Sequence, residues 1–377
     1  RSGWCAGCAN ACKLSVLDFG NATPLITGNR CETGADPAFV RFGSTSAPTT
    51  LELPEPLEPA EHRPSQLPNL IAREQALIAQ CSHPKSTSQR SSVRVGVMDA
   101  LQVYGHLPFW THLMASLGFS VVAPRQAIPP KIKSKAWETV SAESLCHPAK
   151  LAHAKAFDLY DQGVDALFFP QAQRASHCSV TCEYPLALKD GIRWLRDGTV
   201  PLIAPHLSST KPSVLRKDPK DMKRLLAALA PLVKASDQPI SEEELHDALE
   251  KAWADQLGFE RILEKETEHA LALLEEDASL KAVLLAGRPY HADEAIMHGI
   301  DEILSSLGFI VLGMTGAAPL LRAVTFDDED LSWKQAKRLM RAAHLVASYP
   351  RLELACLHSF GCGYDAISLE CVRSFLQ

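Results

Sequence analysis

The chain has 377 residues, long enough for two or three domains with cores of their own. Its formal net charge is −6, so neither nucleic acid nor an anionic membrane surface is an expected partner. No apolar run reaches membrane-spanning length, and the polar, cysteine-rich start does not read as a signal peptide.

Eleven cysteines, at 5, 8, 12, 31, 81, 146, 178, 182, 356, 362 and 371, are many for such a chain. Disulfide frameworks belong to short secreted chains, so the expectation is metal or redox chemistry in a reducing cytoplasm. The chain starts at Arg1 and stops at Gln377 inside a helix-like stretch, and we expect a piece of a longer polypeptide.

Residues 1–43 read as a small cysteine-rich head. Cys5-x2-Cys8-x3-Cys12 is followed by Gly28-Asn29-Arg30-Cys31. Four thiolates can enclose a tetrahedral zinc or a [4Fe–4S] cluster, and both readings stand. So short a segment is expected to need its metal in order to fold. Residues 44–92 carry seven prolines with many Ser and Glu and read as a linker, with one helix-like patch from Leu67 to Gln80.

At Val93 the pattern changes. Val93-Arg94-Val95-Gly96-Val97 predicts a buried strand, Phe109 to Leu117 a helix, and Phe119-Ser120-Val121-Val122 the next strand. This is the β-loop-α-β unit of a parallel sheet, and it opens a first α/β domain over 93–210. The unit recurs 190 residues on: Val283-Leu284-Leu285-Ala286 answers the first strand, and Ser306-Leu307-Gly308-Phe309 answers Ser116-Leu117-Gly118-Phe119. At the same offset Ala342-Ala343-His344 answers Ala152-His153-Ala154, and the strand Leu354 to Ser359 answers Val164 to Phe169. Two doubly wound domains can share such spacing without common origin, but the repeated tetrapeptide favours duplication. The expected fold is therefore α/β, with two flavodoxin- or Rossmann-like parallel-sheet domains, the second over 281–377. A helical connector over 211–280 joins them. In it Ser241-Glu242-Glu243-Glu244 reads as a capping box, Leu245, Leu249 and Trp253 as a packing stripe, and Pro231 and Pro239 as helix breaks.

Sites in open parallel sheets lie outside the carboxyl ends of strands. Cys178 follows one predicted strand, and Cys362 follows another in Ser359-Phe360-Gly361-Cys362-Gly363. There Gly361 and Gly363 would let the backbone approach a bulky inorganic group. Cys146 begins the predicted helix from Pro148 to Tyr160, where free N–H groups and the dipole favour a thiolate. Against this stands the reading of a cysteine as a small inert hydrophobe, which we adopt for Cys81, Cys356 and Cys371. Cys182, four residues beyond Cys178, is a fourth candidate ligand. Gly287-Arg288-Pro289-Tyr290-His291 follows a strand and precedes a helix, so Arg288 and His291 could hold an anion, or the loop could simply pack. His206 and His298 read as structural. No P-loop and no Gly-x-Gly-x-x-Gly after a strand is present, so neither ATP by that route nor a dinucleotide is expected.

Taken together, Gly28-Asn29-Arg30-Cys31, Cys146-His147-Pro148-Ala149-Lys150, Gly287-Arg288-Pro289-Tyr290-His291 and Ser359-Phe360-Gly361-Cys362-Gly363 carry a resemblance. They are similar to the large activator-type proteins related to 2-hydroxyacyl-CoA dehydratases, the CoA-substrate-specific enzyme activases. The resemblance covers nearly the whole chain, and it is specific as a set of motifs in order. It implies a cluster held by three cysteines of flavodoxin-like domains, matching Cys146, Cys178 and Cys362 here. It also implies low-potential electrons from an ATP-hydrolysing activator domain or subunit, supplied by a donor such as a ferredoxin or flavodoxin. The family pattern near the second ligand is like Asn-Cys-Pro, whereas this chain has His177-Cys178-Ser179 with Cys182 beyond, so both cysteines remain candidates. Related proteins hold a double-cubane cluster, which takes about six cysteines. Three core cysteines favour a single [4Fe–4S]. The expected function is an iron–sulfur electron-transfer or reductive-activation module. The alternatives are a dehydratase-like enzyme with substrate on an open iron, and a scaffold stabilised by zinc in the head.

Overall fold

The computed structural model describes residues 2–6, 12–17, 25–28, 36–42, 67–82, 84, 88–141, 145–172, 178–208, 212–326, 333–359 and 362–377. The chain divides into two compact units, residues 1–63 and 64–377. In the first, strands β1 (Ser2–Cys5), β2 (Lys13–Leu17), β3 (Leu25–Thr27) and β4 (Val40–Arg41) form an antiparallel sheet in the order β3-β2-β1-β4. Along β2 buried Leu14 and Val16 alternate with outward Lys13, Ser15 and Leu17, the period of two of a half-buried strand. Leu14 and Val16 close a small core with Cys5, Ile26 and Val40.

The second unit is mixed α/β. It begins with helix α1 (Leu70–Cys81), whose cap Asn69 accepts from the Ile71 and Ala72 N–H groups at 3.2 and 3.1 Å. This is the helix-like patch of the stretch read as linker, and it is packed: Leu77 and Ile78 lie in one core and Leu70 in another. Strands β5 (Arg94–Val97), β6 (Ser120–Val122), β7 (Ala166–Phe168), β8 (Gln171–Ala172), β9 (Leu202–Ile203) and β10 (His206–Leu207) follow. The parallel sheet β6-β5-β7-β9 is built from four of them, while β8 pairs with β10. Between these strands run helices α2 (Leu107–Ser116), α3 (His147–Asp161) and α4 (Ser179–Gly191).

Where the sequence predicts a connector, the chain forms two short helices, Pro219–Ala228 and Ala230–Ser236, and then the 35-residue helix α5 (Glu242–Glu276). Ser241 caps α5 by accepting from the Glu244 N–H at 3.0 Å. The reciprocal half of the box is missing because the Glu244 carboxylate pairs with Arg90 instead. The apolar stripe of α5 enters both cores: Leu245, Leu249, Ala252, Phe259 and Leu263 in the first, Ala270 and Leu274 in the second. Fully buried Gln256 accepts from the Phe109 N–H at the start of α2 (3.3 Å) and donates to the Gly105 carbonyl (3.3 Å). It thereby satisfies groups that the irregular entry to α2 leaves open.

Strands β11 (Lys281–Ala286), β12 (Phe309–Gly313) and β13 (Leu352–Cys356) make a second parallel sheet, β12-β11-β13, with helices α6 (Ile300–Ser306), α7 (Lys334–Ala347) and α8 (Gly363–Leu376). In both sheets the first strand is central, flanked by the second and third. The 190-residue offset holds through the two Ser-Leu-Gly-Phe segments and slips by a few residues at the third strand, β7 against β13. Among the described residues no helix is long and apolar enough to cross a membrane.

The repeated tetrapeptide has a conformational cause. Gly118 and Gly308 leave α2 and α6 with φ of 92° and 87°, a left-handed turn that L side chains resist. A Cβ at Gly308 would meet nothing, whereas one at Gly118 would lie 2.1 Å from Ser88 Oγ. Gly308→Ala is therefore expected to cost about 1–2 kcal/mol from backbone strain alone, and Gly118→Ala about 1–3 kcal/mol more. Denaturant unfolding of the two variants checks this; equal losses would refute the packing account.

Candidate functional site

Three of the predicted ligands occupy the same kind of position. Cys146 is the N-cap of α3, Cys178 of α4 and Cys362 of α8. Cys178 and Cys362 share nearly one backbone geometry, φ −87° and ψ 112° against φ −85° and ψ 100°. Each starts the helix that follows the third strand of its sheet. A constant offset of 190 residues sets Ser368 opposite Cys178, but the fold sets Cys362 there, since the register slips before α8. Likewise the N-cap of α7, which answers Cys146, is Trp333 rather than the offset partner Ala336.

Cys146 is pushed up by burial and opposed by the Ala149 backbone N–H; the charges of Cys178 and Cys362 raise it further and Arg288 lowers it. Cys178, Cys362 and Arg288 are thus near enough to Cys146 for their charges to act on it. Burial also pushes Cys362 up, against the Asp365 backbone N–H and the Arg288 guanidinium. In both cases the opposing N–H is the third of the helix, where unpaired amides point out of the N-terminus.

Arg288 organises this neighbourhood. One terminal nitrogen donates to Cys362 Sγ at 3.3 Å and to Asp365 Oδ1 at 2.6 Å, and the other donates to the Tyr290 hydroxyl at 3.0 Å. His291 is a strut. Its Nδ1 accepts from the Arg288 N–H at 3.2 Å, so Nε2 carries the proton and donates to Ser359 Oγ at 3.3 Å. Burial lowers His291 to about 4, so it is neutral. Within this loop His291 bonds to the Arg288 backbone and to Ser359, while the Arg288 side chain reaches the Cys362 thiol. Asp365, Tyr290 and Ser359 are partners that the sequence reading missed. Asp365 alone carried a signal, an acid in the first turn after Cys362.

A second polar chain ends at Tyr184, near enough to Cys146 to be affected by its charge. Thr139 Oγ1 donates to the Ala136 carbonyl at 2.7 Å, so it accepts from His153 Nδ1 at 2.7 Å. His153 Nε2 then accepts from the Tyr184 hydroxyl at 3.0 Å. Burial lowers His153 to about 4, and burial followed by the Cys146 charge raises Tyr184.

Cys182 is buried one turn into α4, where its N–H donates to the Cys178 carbonyl at 3.2 Å. Cys81 and Cys356 are pushed up by burial, Cys356 to about 11, as befits thiols kept protonated. In the head, Cys5 is buried and donates its N–H to the Cys12 carbonyl at 2.8 Å. Cys8, Cys31, Gly361 and His177 lie outside the described residues. A Cβ at Gly363 would meet nothing within 4 Å among the described residues. Among the described residues no three His, Cys, Asp or Glu side chains stand where one metal ion would bind them together. Cys178 lines a cavity of ≈ 680 Å³ together with Arg288, Tyr290, Trp333, Tyr364 and Asp365.

Thr315, on the same cavity, donates to buried Glu74 Oε1 at 2.8 Å. Burial pushes the Glu74 carboxyl from 4.5 up to about 7, against the Thr315 hydrogen bond and the Arg338 charge. An acid so raised holds its proton more tightly folded than unfolded. Stability is therefore expected to fall as pH rises from 4.5 to about 7 and to level off above. Glu74→Gln should flatten that fall, worth up to about 3 kcal/mol, in denaturant unfolding followed across this range. An unchanged profile would refute the assignment.

The family model described as CoA enzyme activase uncharacterised domain (DUF2229) matches residues 94–315. The match takes in Cys146, Cys178, Arg288 and His291 and more than half of the chain. No curated protein and no solved structure matches the chain. Because that match covers more than half of the chain, the chain belongs to the CoA enzyme activase uncharacterised domain family.

Proposed function

We propose that this chain is an iron–sulfur module for low-potential electron transfer or reductive activation, holding one [4Fe–4S] cluster on Cys146, Cys178 and Cys362. The observation that carries this reading is that all three cysteines are helix N-caps, with Arg288 donating to Cys362 and lining one cavity with Cys178. The donor set fits the group. A cluster presents a separate iron to each thiolate, so its ligands need not close round a single ion as they would for zinc. Helix N-termini and a guanidinium favour the anionic cluster and its thiolates. When bound, a cluster supplies one-electron chemistry at low potential.

The residues around it have distinct parts in this reading. Arg288, donating to Cys362 Sγ, places positive charge and a hydrogen bond at a ligand sulfur, the kind of contact that raises a potential. Asp365 and Tyr290 hold the guanidinium, and His291 holds its backbone. The Thr139–His153–Tyr184 chain fixes the phenol that faces Cys146. Electrons would come through an ATPase activator, fed by a ferredoxin or flavodoxin, for a dehydratase-type system. The head would hold zinc or a second [4Fe–4S] on Cys5, Cys8, Cys12 and Cys31. The work would take place in the cytoplasm.

A second reading follows from the cavity. Its ≈ 680 Å³ suits a small organic molecule next to Cys178 and Arg288, as a dehydratase-like enzyme would require of an open iron. Turnover of a 2-hydroxyacyl-CoA with reductant and activator separates this from electron transfer alone.

Anaerobic reconstitution followed by iron, sulfide and zinc analysis and EPR tests the proposal. Brown protein is expected, with Cys146→Ala or Cys362→Ala each losing roughly half of the bound iron if the head carries its own cluster, and all of it otherwise. Colourless protein with no iron, or variants with unchanged iron, would refute the core cluster.

A further inference from the structure

Apart from the thiols, the most unusual group in the 64–377 unit is an ammonium buried between two carboxylates. The Lys155 side chain is 4 % exposed, and its Nζ meets Asp99 Oδ1 at 2.9 Å, the Asp99 carbonyl at 3.0 Å and Asp293 Oδ2. Burying an ion is costly, and such a pair returns little net stability, so its clearest consequence is to fix which surfaces meet and how.

The three residues come from places that bear on the thiol site. Lys155 lies on α3, between two and three turns from the cap Cys146. Asp99 follows β5, the central strand of the first sheet. Asp293 ends the turn Pro289–Ala292, which starts at Arg288 after the central strand of the second sheet, and caps the next helix through the Ala295 N–H at 2.9 Å. Tyr290 and Ala292 of that turn are buried in the core of the first sheet. A Cβ at Gly105, in the matching turn of the first half, would lie 2.8 Å from Pro289. The two turns are therefore pressed together beside the lysine. Asp99 is pushed up by its burial, while Lys155, in spite of its own burial, is raised by the two carboxylates and stays charged.

We propose that Lys155 is a positioning residue: clasped by Asp99 and Asp293, it fixes the distance of Cys146 from Cys362 and Arg288 across the two sheets. The proposal rests on reading the three thiols as one site, and it gives the two halves a defined spacing there. Cys146 and Cys178 belong to the first half and do not depend on the clasp, whereas Cys146 and Cys362 do.

Bifunctional thiol alkylation separates these cases without metal. Metal-free protein is treated with dibromobimane, and the linked peptides are mapped. Wild type should give both Cys146–Cys178 and Cys146–Cys362 links. In Lys155→Met the ratio of the second to the first should fall by about ten-fold, because intramolecular rates follow the population in reach. Asp293→Asn, which keeps the lysine and Asp99, should shift it the same way. An unchanged ratio in folded variants, judged by circular dichroism, overturns the proposal. Failure of both variants to fold also overturns it, since the triad would then be a stability element only. Absence of both links in wild type overturns the shared site itself. Because no iron is involved, these outcomes stand apart from the iron analysis. A loss of iron with the links intact would count against the cluster and leave the clasp in place.

Discussion

Burial of one face of α5 in two cores at once is the constraint on which the 64–377 unit depends. A 35-residue helix is roughly 50 Å long, and without tertiary contacts its charged exterior would not keep it so ordered. Its amino-terminal two thirds pack Leu245, Leu249, Phe259 and Leu263 against the first sheet's core, and Ala270 and Leu274 continue into the second. Each core is completed by a rod shared with the other. Helix α1 repeats the arrangement on a smaller scale, with Leu77 and Ile78 in one core and Leu70 in the other. The sheets are therefore parts of one packed body, which lets a site draw ligands from both.

Parallel sheets aim their strand ends at the loops that begin the next helices, so each sheet offers helix N-termini along one edge. Placing a cysteine at the cap gives a thiol two opposed influences. Burial favours the neutral form, and the unpaired amides, the helix dipole and Arg288 favour the anion. In this protein burial wins for Cys146 and Cys362. A cluster taken up by these residues would therefore displace protons, and its affinity would rise with pH. The Asp365 carboxylate keeps the Arg288 charge from being entirely spent on sulfur, a compromise visible in the shared nitrogen that reaches both.

Much of this was legible in sequence, and the failures have physical causes. Strand and helix periodicity located the two α/β regions, because buried parallel strands read as short apolar runs. The tetrapeptide at 116–119 and 306–309 was informative since a left-handed residue is needed twice, at Gly118 and Gly308. Cys178 and Cys362 stood out because they follow predicted strands, and Cys146 because it begins a helical pattern. What a constant offset could not show was that Cys362, not Ser368, answers Cys178, because equivalence is set by the strand-to-helix junction. Residues 44–92 read as linker by composition alone, yet the apolar face of α1 sits among them and is packed. The Arg288–Asp365 and Lys155–Asp293 pairs join residues far apart in sequence, and no local pattern carries such a contact.

The two halves also explain why one site, rather than two, is the consistent reading. If each sheet held its own copy, the N-cap of α7 would be the thiol that answers Cys146. It is Trp333, whose ring stands edge-on to Tyr364 at 4.2 Å. That indole, at the cap of α7, and that phenol, in the first turn of α8, both line the cavity from the second half. Under the proposed cluster the first half would contribute two thiols, and the second one thiol and the guanidinium. Such an uneven division works only if the halves keep a fixed spacing, which the shared helix sets coarsely and the clasp at Lys155 sets locally. Under the proposed cluster that asymmetry would place the iron between the two sheets, where neither half alone supplies enough ligands.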